Sequence, residues 1–153
     1  MDLKAINRRV IEQFRAGGEI EGMHRERLVL LTTTGRRTGR RHTTPMMFDR
    51  DGDRILVVAS NQGDPKEPDW YRNLVANPRV RVELADETLE ATAKPLEGEE
   101  RERQWARIKK AWPFFAEHEK KAGRTIPVVS LTRQPGEQPG GRTEPKRDRS
   151  GPR

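Results

Sequence analysis

At 153 residues the chain has the length of one domain. With 31% hydrophobic against 36% charged residues and a mean hydropathy of −1.02, it has apolar surface for one modest core. Thirty-one Lys and Arg against 24 Asp and Glu, net +7, predict attraction to anions, while the absence of cysteine excludes disulfides, thiolate metal sites and a cysteine nucleophile.

Leu3, Ile6, Val10 and Phe14 recur at steps of three, four and four, which predicts an amphipathic helix within residues 1–18, ended by Gly17-Gly18. Two readings of it stay open: a helix packed over the domain, or a basic helix that rests on a membrane surface or shields a substrate pocket. Residues 27–34 have the aliphatic and β-branched content of a strand, Gly35 to Gly39 form a turn, and residues 41–50 carry the chain back. Asp51-Gly52-Asp53 is a hairpin signal leading into a third strand over 54–60, whose continuous apolar run predicts burial on both faces.

Pro68 opens a predicted helix over 69–76, closed by Asn77-Pro78. Strands follow at 79–84 and 89–96. A long helix is expected from Glu99 to about Glu119, with Trp105, Ile108, Trp112 and Phe115 on one face and Pro113 bending or splitting it. Residues 126–131 read as the last strand. The whole describes a barrel-based α+β domain over 1–133, with about six mostly antiparallel strands and flanking helices. Residues 134–153 lack any hydrophobic residue, and eight of the twenty are Pro or Gly, so a disordered basic tail is expected there.

The catalytic inventory is thin. There is no nucleophile elbow, no Walker loop and no Gly-x-Gly-x-x-Gly between a strand and a helix. His24, His42 and His118 never stand at the i, i+4 spacing of a helical metal site, and no metal is expected. Such a chain is a binder or an enzyme whose cofactor carries the reaction. The richest stretch is Thr-Thr-Thr-Gly-Arg-Arg-Thr-Gly-Arg-Arg-His-Thr-Thr-Pro at 32–45. Four arginines and a histidine fall in seven positions between two strands, beside two glycines that let the backbone approach a ligand. Guanidinium forks suit phosphate and carboxylate oxygens, so the residues predict an anion cradle, or else a solvated basic hairpin tip.

Five ordered pieces lie between residues 31 and 84. They are Leu-Thr-Thr-Thr-Gly-Arg-Arg-Thr-Gly (31–39), Thr-Thr-Pro-Met (43–46), Asp-Gly-Asp-Arg (51–54), Val-Val-Ala-Ser (57–60) and Trp-Tyr-Arg-Asn-Leu-Val-Ala-Asn-Pro (70–78). Arg-Thr-Ile-Pro-Val-Val (124–129) completes them. In this order they resemble the deazaflavin-dependent oxidoreductases of actinobacteria, often called the deazaflavin-dependent nitroreductase family, across about residues 5–133.

The resemblance implies a split β-barrel of the FMN-binding type that holds coenzyme F420, a deazaflavin carrying a phosphate and an oligoglutamate tail. It further implies hydride transfer from the reduced cofactor to quinones, nitroaromatics or other planar electron-poor acceptors. By the family's motif, Arg36, Arg37 and Thr38 contact the phosphate and its acidic extension. Thr44, Pro45 and Met47 line the deazaflavin ring, Ala59 and Ser60 hydrogen-bond near it, and Trp70 and Tyr71 brace the pocket. Two positions depart from the pattern: His42 stands where the family usually has Arg, and Asn61 where many members have Lys. Arg40 and Arg41 are the compensating cations.

On the substrate side, Trp112, Phe115 and His118 match tyrosines that wall the acceptor pocket in relatives, and His118 alone offers a proton. The alternative is a non-catalytic barrel that binds a lipid or FMN. Nucleic acid is not expected as a partner, since no recognition motif accompanies the charge. The expected setting is cytoplasmic, as monomer or homodimer, with weak peripheral contact to anionic lipid open.

Overall fold

The computed structural model describes residues 3–17 and 25–134; the expected tail beyond Gln134 and the second glycine of the predicted helix stop lie outside the described residues. Helix α1 (Leu3–Ala16) comes first. Strands β1 (Leu28–Thr34), β2 (Arg41–Met47), β3 (Asp49–Asp51) and β4 (Arg54–Val58) follow, then helix α2 (Asp69–Ala76). Strands β5 (Arg79–Glu83) and β6 (Thr88–Pro95), helices α3 (Gly98–Ala111) and α4 (Phe114–Ala122), and strand β7 (Val128–Arg133) complete the domain.

The seven strands form one sheet in the order β2-β1-β5-β6-β7-β4-β3, and every pairing is antiparallel. Its two edge strands, β2 and β3, are consecutive in the chain with Phe48 alone between them. Two peptide steps span at most about 7 Å, so the two edges meet at that corner and the sheet must curl around its own core. The result is a curled, split barrel with flanking helices.

Alternation along the strands sorts the side chains. Val29 and Leu31 of β1, Ile55 and Val57 of β4, Val80 and Val82 of β5, and Val129 and Leu131 of β7 fill the interior. The outer face of β1 is equally apolar because α1 covers it: Leu28 and Leu30 pack with Val10 and Phe14. Likewise Leu56 and Val128 meet Trp105, Ile108 and Phe115 of the α3–α4 pair. The continuous apolar runs of β1 and β4 therefore have burial on both faces as their cause. By contrast, β5 and β6 alternate apolar and polar, and Arg81 and Glu90 face each other at 3.0 Å on the uncovered side.

Several boundaries shift by a residue or two, the strand expected over 54–60 ending at Val58, and three differences have a structural cause. The return over 41–50 is two strands, which makes seven rather than six, because the chain leaves one sheet edge for the other at Phe48, whose N–H turns to the Arg27 carbonyl at 3.4 Å. The helix expected over 99–119 is split outright at Trp112-Pro113 and runs on to Ala122, where Gly123 at φ 64° closes it with a bond to the Glu119 carbonyl. The last strand begins two residues late, at Val128: Pro127 has no N–H to give, and the Ile126 carbonyl accepts Arg101 Nη2 at 2.6 Å. Within α1, Ile6 stays 38% exposed while Val10 and Phe14 carry the packing.

Candidate functional site

The turn between β1 and β2 is built on Gly35. Its N–H donates to the Arg40 carbonyl at 2.7 Å and its carbonyl accepts from Gly39 at 2.9 Å, so residues 36–38 bulge from a pinched base. A Cβ on Gly35 would sit 2.9 Å from Thr38 Oγ1 and 3.0 Å from His42 Nε2, so those two side chains close over the bare backbone. Thr38 Oγ1 also accepts from the Arg40 N–H at 3.1 Å.

Arg36 is half-buried and tied to α2. Asn73 Oδ1 accepts both its backbone N–H (3.2 Å) and its Nη1 (2.8 Å), and Asp69 Oδ1 lies 3.4 Å from Nη2. The buried Asn73 in turn gives Nδ2 to Thr33 Oγ1 at 3.4 Å. Asp69 and Asn73 stand at i, i+4, on one face of α2, and together grip one arginine. Arg37, Arg41 and His42 by contrast are exposed.

Facing this turn is a cleft of about 1120 Å³, walled by α1, the β1–β2 turn, the start of β2, the 61–68 loop and the first turns of α2. That volume is slightly above the range of small-molecule sites, roughly 300–1,000 Å³. Seven cations border it: Arg8, Arg15, Arg36, Arg37, Arg41, Lys66 and Arg72. Among the described residues only three carboxylates do, those of Asp64, Glu67 and Asp69. Arg15 is spent on Glu83, with Nε to Oε1 at 3.0 Å and Nη2 to Oε2 at 2.7 Å, a bidentate pair that pins the end of α1 to β5 and raises the Arg15 pKa. Arg36 is held by Asn73 and Asp69, and the other five leave a positive field in a concave surface, which suits a polyanionic ligand.

Of the residues singled out by sequence, Arg36, Arg37, Thr38, Arg41, His42, Thr44, Asn61 and Trp70 border this cleft together. Pro45 and Met47 do not: by register they pair with Leu30 and Leu28, farther along β2 from the turn than the lining residues Arg41 to Thr44, on the face under α1. Ala59 and Ser60 are buried behind the cleft wall. Tyr71 packs against the barrel core, edge-on to Trp70 at 6.5 Å, and burial followed by the charge of Glu67 raises its pKa.

Trp112, Phe115 and His118 form a second group at the α3–α4 junction, and the three differ in setting. Phe115 is 8% exposed and belongs to the core beside Trp105, so its ring is a packing element. Trp112 lies under the Arg27 guanidinium at 5.0 Å. His118 is half-buried, with Nδ1 3.2 Å from Ser60 Oγ, and this contact joins the second group to the loop that walls the cleft. Its ring also meets Phe114 at 5.5 Å, and Phe114, 40% exposed, is the open aromatic face of the group.

Several lining residues escaped the sequence reading: Asn7, Arg8 and Ile11 of α1, Lys66, Arg72 and Asn73. For α1 a signal existed, since Arg8 and Arg15 stand seven apart, two turns along one helix face. Asp69 and Asn73 carried a similar i, i+4 signal. Lys66 carried none, because the loop that holds it has no periodicity.

A model of the family described as F420H(2)-dependent quinone reductase matches residues 5–133. An F420H(2)-dependent quinone reductase of Mycobacterium tuberculosis strain H37Rv is 38% identical over 114 residues, covering 69% of this chain and 73% of that protein. A second protein of the same strain, described as a putative F420H(2)-dependent quinone reductase, is 31% identical over 67% of this chain and 87% of its own. Among solved structures, an F420-H2 dependent reductase is 42% identical, with a TM-score of 0.64 over 72% of this chain and 99% of that one. Another, described as a domain-swapped dimer, is 40% identical, with a TM-score of 0.66 over 81% and 95%. The haem storage protein HutZ of Vibrio cholerae, 19% identical with a TM-score of 0.54, shares the fold.

Proposed function

The chain belongs to the F420H(2)-dependent quinone reductase family, and from that premise we propose that it passes hydride from reduced coenzyme F420 to a quinone, a nitroaromatic or another planar electron-poor acceptor. The observation that carries the reading is the cleft itself, where among the described residues cations outnumber carboxylates seven to three around a turn pinched on Gly35. That donor set fits a deazaflavin bearing a phosphate and a glutamate tail. FMN carries a phosphate as well but no glutamate tail, so it would engage fewer of these cations. When bound, reduced F420 supplies the two-electron chemistry, and a quinone that takes one hydride and one proton becomes the quinol.

The chain's own residues bind, orient and protonate. Arg37 and Arg41 are exposed cations for the phosphate and the acidic extension, and Thr38 offers a hydroxyl beside them. Arg36 contributes charge but also holds the turn in place through Asn73, so its role is shared between ligand and scaffold. Thr44, on the interior face of β2, and Trp70, on α2, line the approach to the ring. His42 and Asn61 complete the rim. Ser60 holds His118 by Nδ1, which leaves Nε2 as the nitrogen available to hand a proton to the acceptor. Phe114, beside His118, is the aromatic face on which a planar acceptor can stack.

The deciding experiment follows oxidation of reduced F420 by absorbance against a panel of quinones and nitroaromatics, with FMN and F420 titrations beside it. Saturable F420 binding and acceptor-dependent oxidation are expected. Tight FMN binding without F420 uptake would overturn the cofactor, and F420 binding without turnover on any acceptor would overturn the catalytic reading. The proposal places the enzyme in the cytoplasm, as a monomer or homodimer. No helix among the described residues is long and apolar enough to cross a membrane, so contact with anionic lipid would rest on the exposed face of α1, and co-sedimentation with anionic vesicles tests it.

A further inference from the structure

Lys66 stands on the cleft wall in a loop held by an unusual arrangement. Asn61, Gln62 and Gly63 follow one another at positive φ, 50°, 57° and 84°, in a region that residues with a Cβ disfavour. The bend packs on α4 so closely that a Cβ on Gly63 would lie 3.0 Å from Lys121 Cδ and 3.3 Å from His118 Cα. Past the bend, Asn61 Nδ2 donates to the Lys66 carbonyl at 3.0 Å, and the Lys66 N–H donates to Asp64 Oδ1 at 2.7 Å.

Arg124, some sixty residues later, locks this loop. Its Nε donates to the Asp64 carbonyl at 3.1 Å. Its Nη2 reaches the carbonyls of Ala59 (3.3 Å), Ser60 (3.2 Å) and Lys66 (3.2 Å). The guanidinium is thus turned on backbone oxygens from both ends of residues 59–66. The same loop backbone carries Ser60, whose hydroxyl meets His118.

The Lys66 ammonium is uncommitted, as are the exposed guanidinium groups of Arg37 and Arg41 on the arginine turn. Arg15 is matched by Glu83 and Arg36 by Asn73 and Asp69, whereas among the described residues Lys66 makes no side-chain hydrogen bond or ion pair. A loop strained at Asn61 and Gln62 and locked by Arg124, presenting an uncommitted cation from a wall of the cleft other than the arginine turn, is the pattern of a ligand-binding position. We propose that Lys66 is an anion-binding residue of this cleft, taking a phosphate or carboxylate oxygen of the acidic extension of the cofactor, and that Arg124 is the positioning residue that sets it there. The inference rests on the F420 reading above and adds to it a residue on a different wall from the arginine turn.

Fluorescence titration of F420 tests it with wild type, Lys66→Ala, Lys66→Arg, Arg124→Lys and the Lys66→Ala/Arg124→Lys pair. Lys66→Ala is expected to weaken binding about fivefold, the effect of one charge-assisted contact at an exposed site, and Lys66→Arg to restore most of it. Cofactor without its glutamates separates the sources. If the loss disappears there, the partner is a carboxylate; if it persists there but disappears on the phosphate-free deazaflavin, the partner is the phosphate.

Arg124→Lys is expected to weaken binding in the wild-type background and to add less than twofold once Lys66 is Ala. A merely structural arginine would cost the same in both backgrounds, and that result overturns its positioning role. Melting temperatures are read alongside, and should Arg124→Lys fail to fold, Arg124→Gln takes its place in the cycle. Unchanged affinity of Lys66→Ala, or an equal loss on the bare deazaflavin, overturns the assignment of Lys66 alone. A wild-type protein that takes up no F420 overturns the cofactor reading and this inference together.

Discussion

Replacing Asn73 with Ala tests how the arginine turn is held. Asn73 Oδ1 accepts the Arg36 backbone N–H at 3.2 Å and Nη1 at 2.8 Å, and Nδ2 reaches Thr33 Oγ1 at 3.4 Å. The bond from the guanidinium is charge-assisted, about 1.5–3 kcal/mol, and the backbone bond adds about 1 kcal/mol. The bond to Thr33 is long and adds little. Truncation should therefore cost about 3 kcal/mol, which for a domain of this size corresponds to a fall in Tm of roughly 8–12 °C. Because Arg37 and Thr38 ride on the same turn, F420 affinity should fall with it.

Asn73→Asp is the companion variant. It keeps the acceptor for Arg36 and loses the donor to Thr33, so most of the stability returns. The added carboxylate neutralises Arg36 further, and cofactor affinity stays low. Urea denaturation with an unchanged m-value reports the first quantity and fluorescence titration the second. A loss under about 0.5 kcal/mol for Asn73→Ala would refute the strut. Full stability loss with wild-type affinity would refute the coupling of the turn to the cofactor.

Arg37→Ala touches an exposed side chain and should leave Tm unchanged while weakening F420 binding about tenfold; equal affinity in titration would remove Arg37 from the cradle. Gly63→Ala forces a Cβ to φ 84° and to 3.0 Å from Lys121 Cδ and 3.3 Å from His118 Cα, and should cost about 1–2 kcal/mol for the backbone alone by chemical denaturation. Burial pushes the Glu119 carboxyl up, but the Trp105 indole at 2.7 Å and the Lys109 ammonium at 3.0 Å outweigh it and hold its pKa below the ordinary value. A depressed folded-state pKa contributes stability that is full above the unfolded value and lost as pH falls through the folded one. Wild type should thus lose more stability than Glu119→Gln on acidification below about pH 4.5, and parallel profiles in urea titrations would contradict this.

The local elements were legible because local chemistry makes them. Asp51-Gly52-Asp53 as a hairpin turn, Asn77-Pro78 as a helix end and the double-faced apolar run expected over 54–60, of which the strand keeps 54–58, each follow from steric preference or alternation within a few residues. The arginine turn was legible for the same reason, since its cations and glycines are neighbours in sequence. What escaped was anything that depends on two distant segments. Phe115 reads as a pocket aromatic by position, yet the break at Pro113 turns it into the core and leaves Phe114 exposed. Pro45 and Met47 read as ring contacts alongside Thr44, yet a strand sends adjacent residues to opposite faces, and pairing with β1 decides which face is which.

The amino-acid order alone thus determined most of the strands and helices, the basic turn and the resemblance to deazaflavin enzymes, all of which rest on short-range sterics and on motifs read in order. Tertiary structure decided that β2 and β3 are the two edges of one curled sheet, that α1 supplies a wall of the cleft, and that Arg124 grips a loop some sixty residues away. These are contacts between segments far apart in the chain. Their partners are selected by which surfaces remain to be buried once the sheet has closed, a condition on the whole chain that no window of residues contains.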